Sequence, residues 1–527
     1  MTRPAAIRAA AAALAALAAV PAPAADDVPL RAMKDELARS VAQLRLEGME
    51  RPYFVAYGLD DLDAVAISAT LGSLESSRPW RGRRVRVEVR VGDPSLDNGN
   101  FVSSTGGPVS MVETDSAPLD DDYRQIRRQL WLATDAQYKK ALESLAAKRA
   151  ALEVRKGAGD LPDFGREPPA STSAAPLPAP RRPELEALAR ELSAVFRSAP
   201  EILRSSVAVT ARTVHTRYVN SDGTVFTRAS ASLDLEIGAE AHAPDGMPIS
   251  DAIAIRGRTE ADLPPREVLL ARVREMAARI LALRSAPTLE RYDGPVLFEG
   301  EAGAEVFLRQ LAPSLLAVRQ PVSDEPRFDA MYGQMLAQLG GASFDDRVGA
   351  RVLPETLSVT DRPGQDRLGD ALLLGGQGID DDGVVPRETR LVERGVLRAL
   401  LASRIPTPAA RRSTGSRRGP GPVPSNLLVT AERAVAEKEL RRELLRLARA
   451  RGLDHAIVVR RVGAGAAASS LRRLAGRMGV PVDQGSSAMA EVYRIGADGS
   501  AQLLRGVELG ELGVAAFKEI AAAGDAP

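Results

Sequence analysis

Three consecutive carboxylates stand in the glycine-rich run Gly375-Gly376-Gln377-Gly378-Ile379-Asp380-Asp381-Asp382-Gly383. Acids at this density can hold a divalent cation, but neighbouring strand residues point to opposite faces, so only two of the three readily converge. The plainer expectation is a solvated turn. Further on, the basic loop from Arg411 to Pro424 carries Arg411, Arg412, Arg417 and Arg418. Paired guanidinium groups there can grip a substrate carboxylate, and the alternative is a solvated loop. The chain has three histidines, His215, His242 and His455. No two have a metal-ligand spacing and no HExxH occurs, so each reads as structural or solvated. No GxSxG elbow supports a serine hydrolase. Cysteine is absent, which removes disulfides, thiolate ligands, iron–sulfur clusters and cysteine nucleophiles together. Gly463-Ala464-Gly465, with Asp483 behind it, matches a dinucleotide fingerprint in outline, yet a second βα unit is missing. The Asp and Asn residues between Gly92 and Phe101 lack EF-hand spacing and read as turns.

The chain that must position these groups has 527 residues, room for two or three domains. Lys plus Arg is 70 against 69 Asp plus Glu, so no excess positive field points to nucleic acid. Aromatics are 4 %, which also disfavours base-stacking platforms. Arg3 and Arg8, the apolar run Ala9 to Val20 and the small residues Ala22-Pro23-Ala24 predict a signal peptide over 1–25. That makes the chain an exported one, periplasmic or extracellular. No other stretch is apolar for long enough to span a membrane.

Periodicity supplies the elements. Helices are expected over Pro29 to Leu46, Tyr123 to Lys156 (one long or two short), Glu184 to Phe196, Pro264 to Leu283, Ala431 to Arg451 and Leu509 to Ala523. Tyr53 to Tyr57, Ala64 to Ala69 and Arg83 to Val91 read as three strands. In the last, valines 85, 87, 89 and 91 alternate with Arg or Glu, as in a sheet with one wet face. Ser206 to Val219 and Val225 to Leu235 flank Asn220-Ser221-Asp222-Gly223, a hairpin signal, and Ile253 to Ile255 follows. Strands are expected at Leu357 to Val359, Ala371 to Leu374, His455 to Val462, Ala490 to Ile495 and Ala501 to Leu504. A further hairpin turns at Glu393-Arg394-Gly395. The Pro-rich stretch Leu161 to Pro183 reads as a linker or exposed loop. From Val296 to Pro321 a short strand feeds a helix through Glu299-Gly300-Glu301, with Val306, Phe307, Leu311 and Leu315 near helical spacing. The class is α+β, with an N-terminal mixed sheet-and-helix domain over 26–286 and a C-terminal domain over 287–527.

Three ordered runs, Gly378-Ile379-Asp380-Asp381-Asp382-Gly383, Pro386-Arg387-Glu388-Thr389 and Leu391-Val392-Glu393-Arg394-Gly395-Val396-Leu397, resemble the TldD/PmbA proteins. So do the loop Arg411 to Arg418 and the hairpin Asn220-Ser221-Asp222-Gly223-Thr224. The resemblance covers roughly residues 50 to 522 and implies a C-terminal domain rich in antiparallel strands. One branch of that family is a zinc peptidase, with two His of an HExxxH helix and a downstream Cys on the metal and the Glu as general base. At the matching helix this chain has Arg309 and Ser314 for the two His, and Gln310 for the Glu. The resemblance therefore implies a branch lacking the zinc motif, with no catalytic residue at that site, no metal and no cofactor. It implies an exported, catalytically degenerate subunit that binds unfolded or extended peptide. Its partner would be a second copy of itself or an HExxxH-bearing paralogue, with no nucleic acid and no transmembrane span. Asp380, Asp381, Asp382, Arg411, Arg412, Arg417 and Arg418 are its candidate substrate-binding residues. The alternatives are an active peptidase with a non-standard site and a stand-alone envelope binding protein.

Overall fold

A computed structural model describes residues 27–103, 107–108, 112–155, 161–329, 343–462, 491–508 and 512–525. The expected signal segment, the Gly463 run and Asp483 lie outside these residues. The N-terminal half is built on long antiparallel strands: β1 (Pro52–Thr70), β2 (Ser73–Asp93), β3 (Arg204–Asn220), β4 (Val225–His242) and β5 (Pro248–Gly257). Their order across the sheet is β5-β4-β3-β1-β2.

Tyr53 to Tyr57 and Ala64 to Ala69 are thus parts of one strand. The acids between them do not break it, because each meets a cation on a neighbouring strand. Asp60 holds Arg86 at 3.1 Å, and Asp61 holds Arg83 at 2.5 Å and Arg217 at 2.6 Å. The Asn220 to Gly223 hairpin forms as expected, with Asn220 paired to Thr224.

One face of this sheet carries two apolar cores. Val55, Tyr57, Leu59, Val85, Val87 and Val89 pack under helices α1 (Val28–Gln43) and α2 (Tyr123–Arg155). Val65, Ile67, Val207, Leu233 and Leu235 pack under α3 (Arg182–Ala194) and α4 (Arg266–Ser285). Tyr123 onward is therefore a single helix through Arg155. The opposite face of β2 is not wet at its C-terminal end, where Glu88 and Arg90 are buried. The Pro-rich stretch is not wholly exposed either. Asp163 and Phe164 are buried, and Ser171–Thr172 pairs with β4, while the residues beyond it are mostly exposed.

In the C-terminal half a parallel pair joins β6 (Val296–Phe298) to β9 (His455–Arg461). Two antiparallel strands follow it, β10 (Glu491–Gly496) and β11 (Ala501–Leu504). A second sheet centres on β7 (Leu357–Asp361), between Thr389–Glu393 and β8 (Leu427–Ala431). The two sheets share a core that includes Leu315, Val359, Leu391, Leu401, Ile457 and Phe517. The helix expected from Ala431 begins only at Glu437, because Ala434-Val435 pairs with Ala523-Gly524. The same pairing leaves the closing helix only Val514–Lys518.

The strand–helix stretch keeps its apolar frame and loses its regularity. Val306, Leu311 and Leu315 are buried as their spacing requires. Residues Glu301–Val306 are α-helical, Phe307–Leu311 form a π turn and Ala312–Leu315 a 3-10 turn. Pro313 has no N–H and its ring crowds the carbonyl a turn earlier, which ends the helix here.

Candidate functional site

The two halves meet on the inward face of the sheet, over an aromatic floor. Phe54 of β1, Tyr218 of β3 and Phe226 of β4 cluster with Phe164 of the Pro-rich strap and Ile379 of the C-terminal half. The Tyr218 and Phe226 rings stack at 4.9 Å. Two guanidinium groups flank Phe164, that of Arg90 at 3.7 Å and that of Arg404 at 4.0 Å from the ring centre, close enough for cation–π attraction.

The three aspartates are built into this seam. Asp380 is fully buried and accepts from the backbone N–H of Asp382 at 2.9 Å, Val384 at 2.8 Å and Arg417 at 3.0 Å. Asp381 accepts from Arg228 of β4 at 2.6 Å and from the Gly419 N–H at 2.8 Å. Asp382 is buried and accepts from the Arg417 guanidinium at 2.5 Å and the Arg404 N–H at 3.0 Å. Arg404 in turn donates to Asp222 of the β3–β4 hairpin at 2.7 Å and to the Gly165 carbonyl at 2.9 Å. The expectation of a solvated turn fails here. Every carboxylate has a donor, and Asp380 and Asp382 are removed from water. A buried carboxylate persists only when it is paired or hydrogen-bonded in this way.

Behind the floor the network continues within the N-terminal half. Arg90 lies 2.8 Å from both Glu88 and Asp97, and Tyr53 donates to Asp97 at 2.6 Å. Lys148 of α2 pairs with Asp163, which also meets Arg319 of the C-terminal half at 3.3 Å. Burial pulls Lys148 below the usual lysine value despite Asp163. Burial acts the same way on Arg90, but the charges of Glu88 and Asp97 more than offset it and hold its pKa above the ordinary value. Burial pushes Asp381 up, yet Arg228 and Arg86 overcome it and leave it below the usual carboxylate range. Such shifts mark ion pairs that the fold holds in place.

Of the basic loop, Arg417 and Arg418 are therefore engaged internally, Arg418 by donating to the Gly375 carbonyl. Arg411 and Arg412 are exposed, so the four arginines do not converge on one point. Arg309 and Gln310 stand in the π turn Phe307–Leu311 and Ser314 in the 3-10 turn Ala312–Leu315. Arg309 is half-buried and 3.7 Å from Glu305. Gln310 is half-buried, and Ser314 is buried with its carbonyl accepting from Phe344. Arg90, Arg228, Arg404 and Phe164 were not singled out by the sequence. Only the lone aromatic in Leu161-Pro162-Asp163-Phe164-Gly165 hinted that this stretch docks on something.

A catalytic zinc needs about three protein ligands and an open position for water. Arg309 cannot shed its proton, Gln310 offers no base, and the sequence has no thiolate. These residues do not fit the metal.

Residues 328–470 match the model of the PmbA/TldA metallopeptidase C-terminal domain. No curated protein matches the sequence. Among solved structures the chain is similar to a candidate modulator of a DNA gyrase from Thermotoga maritima. Identity is 16 %, with 90 % of this chain and 91 % of that one covered and a TM-score of 0.56. It is also similar to TldE from Thermococcus kodakarensis, at 14 % identity over 89 % of each chain and a TM-score of 0.50. A candidate modulator of DNA gyrase from Bacteroides thetaiotaomicron aligns at 12 % identity over 90 % of this chain and 88 % of its own, with a TM-score of 0.52. The structures share the fold, and the sequence match to the PmbA/TldA metallopeptidase C-terminal domain is carried by residues 328–470.

Proposed function

We propose that this chain is an exported TldD/PmbA protein that is catalytically silent at the family's metal site and works by binding extended peptide. The observation that carries the reading is the helix at 301–315. It keeps the buried frame of Val306, Leu311 and Leu315 while presenting Arg309, Gln310 and Ser314 in place of HExxxH. A fixed positive charge also opposes a cation at that spot. Unit charges at ~4 Å repel by about 4 kcal/mol at an effective dielectric near 20, and a divalent ion fares worse.

Asp380, Asp381, Asp382, Arg417 and Arg418 shape the seam in this reading, and the exposed Arg411 and Arg412 contact the peptide. Strand addition is the mode that suits an extended ligand, since main-chain hydrogen bonds then supply affinity without a demanding sequence. The reading is tested by mixing the purified mature chain with a fluorescently labelled, unfolded model peptide. Co-elution of intact peptide is expected, weakened in Arg411→Ala/Arg412→Ala. Release of fragments, or no retention of peptide, contradicts it.

A further inference from the structure

The sheet face that forms the seam runs on past it, and beyond Arg228 it lies open. Register fixes which residues share it. Trp80 of β2 stands opposite Ala64 of β1, which stands opposite Arg212 of β3. One row away Arg78, Ala66 and Thr210 are aligned. Four residues from Trp80 along the same face is Arg84, aligned with Asp60 and Thr216. Ala66, Thr210 and Ser230 along this face are exposed, while the odd-numbered valines of β2 point to the helices on the other side.

The face is built, not merely bare. The Trp80 ring lies across Gly82, so closely that a Cβ there would fall 2.6 Å from the indole. The Arg84 guanidinium sits over the same ring at 5.6 Å. Trp80 itself is 47 % exposed, a large aromatic held flat where no core needs it.

The charges on the face do not balance. Its acids Asp60 and Asp234 are taken by Arg86 at 3.1 Å and Arg256 at 3.0 Å. Arg78, Arg84 and Arg212 are exposed, and none of them has a carboxylate partner among the described residues. Arg212 holds only the Ser232 hydroxyl, at 2.9 Å. Farther along the same face Glu236 is exposed one row beyond Arg78, and Glu240 lies 3.9 Å from Arg204. At about 3.3 Å per strand residue, Arg78 and Arg84 are roughly 20 Å apart, and Arg212 stands about 10 Å to the side. Three separated cations and one aromatic on a floor of alanine and glycine suit an extended chain bearing carboxylates. They are too sparse for a phosphate backbone with its closely spaced charges.

We propose that the open face around Arg78, Trp80, Arg84 and Arg212 binds an extended acidic polypeptide segment, about six residues long. This rests on the peptide-binding reading above and adds charge selectivity to it. The face is continuous with the seam, because Arg228 in the row of Arg84 already pairs with Asp381. A peptide lying there runs toward the junction of the two halves.

The experiment measures fluorescence anisotropy of labelled twelve-residue peptides on the full mature chain: Glu/Ala, Gln/Ala and Lys/Ala alternations, with a single-stranded DNA twelve-mer beside them. The Glu/Ala peptide is expected to bind about tenfold more tightly than the Gln/Ala one at low salt, and the preference fades as salt screens the charges. Arg78→Gln/Arg84→Gln/Arg212→Gln should abolish the preference, and Arg212→Lys alone should keep it. Unchanged thermal melting shows that the variants are folded, and Arg78→Gln/Arg212→Gln serves if the triple variant is not. Equal binding of Glu/Ala and Gln/Ala peptides, indifferent to the variants, overturns the acidic preference and leaves the peptide-binding reading standing. Retention of no peptide overturns both. Tighter binding of the DNA, lost in the triple variant, overturns the peptide in favour of a nucleic acid.

Discussion

At the scale of residues the molecule is organised by arginine. Arg417 holds Asp382 at 2.5 Å with both side chains buried, and Arg228 holds Asp381 across the seam at 2.6 Å. Removing one partner of such a pair strands a buried charge and costs about 3–5 kcal/mol, whereas an exposed pair is worth well under half of that. Arg417→Met should therefore lower unfolding stability by that amount in urea titration. Arg417→Lys should cost less, since it keeps the charge and loses the planar fork. An effect below about 1 kcal/mol for Arg417→Met would mean that Asp382 is not dependent on it. These partners were not legible in the sequence. Asp380 to Asp382 drew attention as a possible metal site because acids in a row look solvated until the elements that cover them are known. Arg90 looked like the wet half of an alternating strand for the same reason.

Among the elements, those set by a local pattern form as their sequence predicts. The hairpins at Asn220 to Gly223 and Arg394-Gly395 form because their turns need residues that tolerate positive φ. Gly395 has φ 75, and a Cβ there would lie 2.2 Å from the Leu353 carbonyl. Gly395→Val is accordingly expected to cost at least about 2 kcal/mol, read as a fall in the melting temperature, through both strain and collision. A variant that melts like the parent would show that the turn can relax. Local signals mislead where tertiary pairing overrides them. Asp60, Asp61 and Asp63 resemble a break until Arg86 meets the first, Arg83 and Arg217 the second and Arg81 the third. The helix expected from Ala431 starts late because a strand from the far end of the chain claims Ala434-Val435. Pro313 could have warned that the 301–315 helix would not stay regular, and its π and 3-10 turns follow from it.

At the scale of the whole molecule, two halves with separate cores close on an aromatic floor bound by buried ion pairs, and Val306, Leu311 and Leu315 of the 301–315 stretch lie inside the C-terminal core. The α+β class and the resemblance to PmbA/TldD proteins were legible in the sequence because the order of several weak motifs survives even at low identity. The seam was not, since it joins residues as distant as Asp222 and Arg404. We propose that this architecture persists without the metal chemistry of the zinc peptidases, a reading that concerns Arg309, Gln310 and Ser314 directly. Arg309→His/Gln310→Glu/Ser314→His restores two ligands and the base but no thiolate, so it should gain zinc only weakly. The decisive measurement is the zinc content of the purified wild-type chain by elemental analysis, paired with cleavage of unfolded peptide before and after chelation. Well under one zinc per chain and no chelator-sensitive cleavage are predicted. One tightly held zinc per chain, with peptidase activity lost to chelator and regained on adding zinc, would contradict the account.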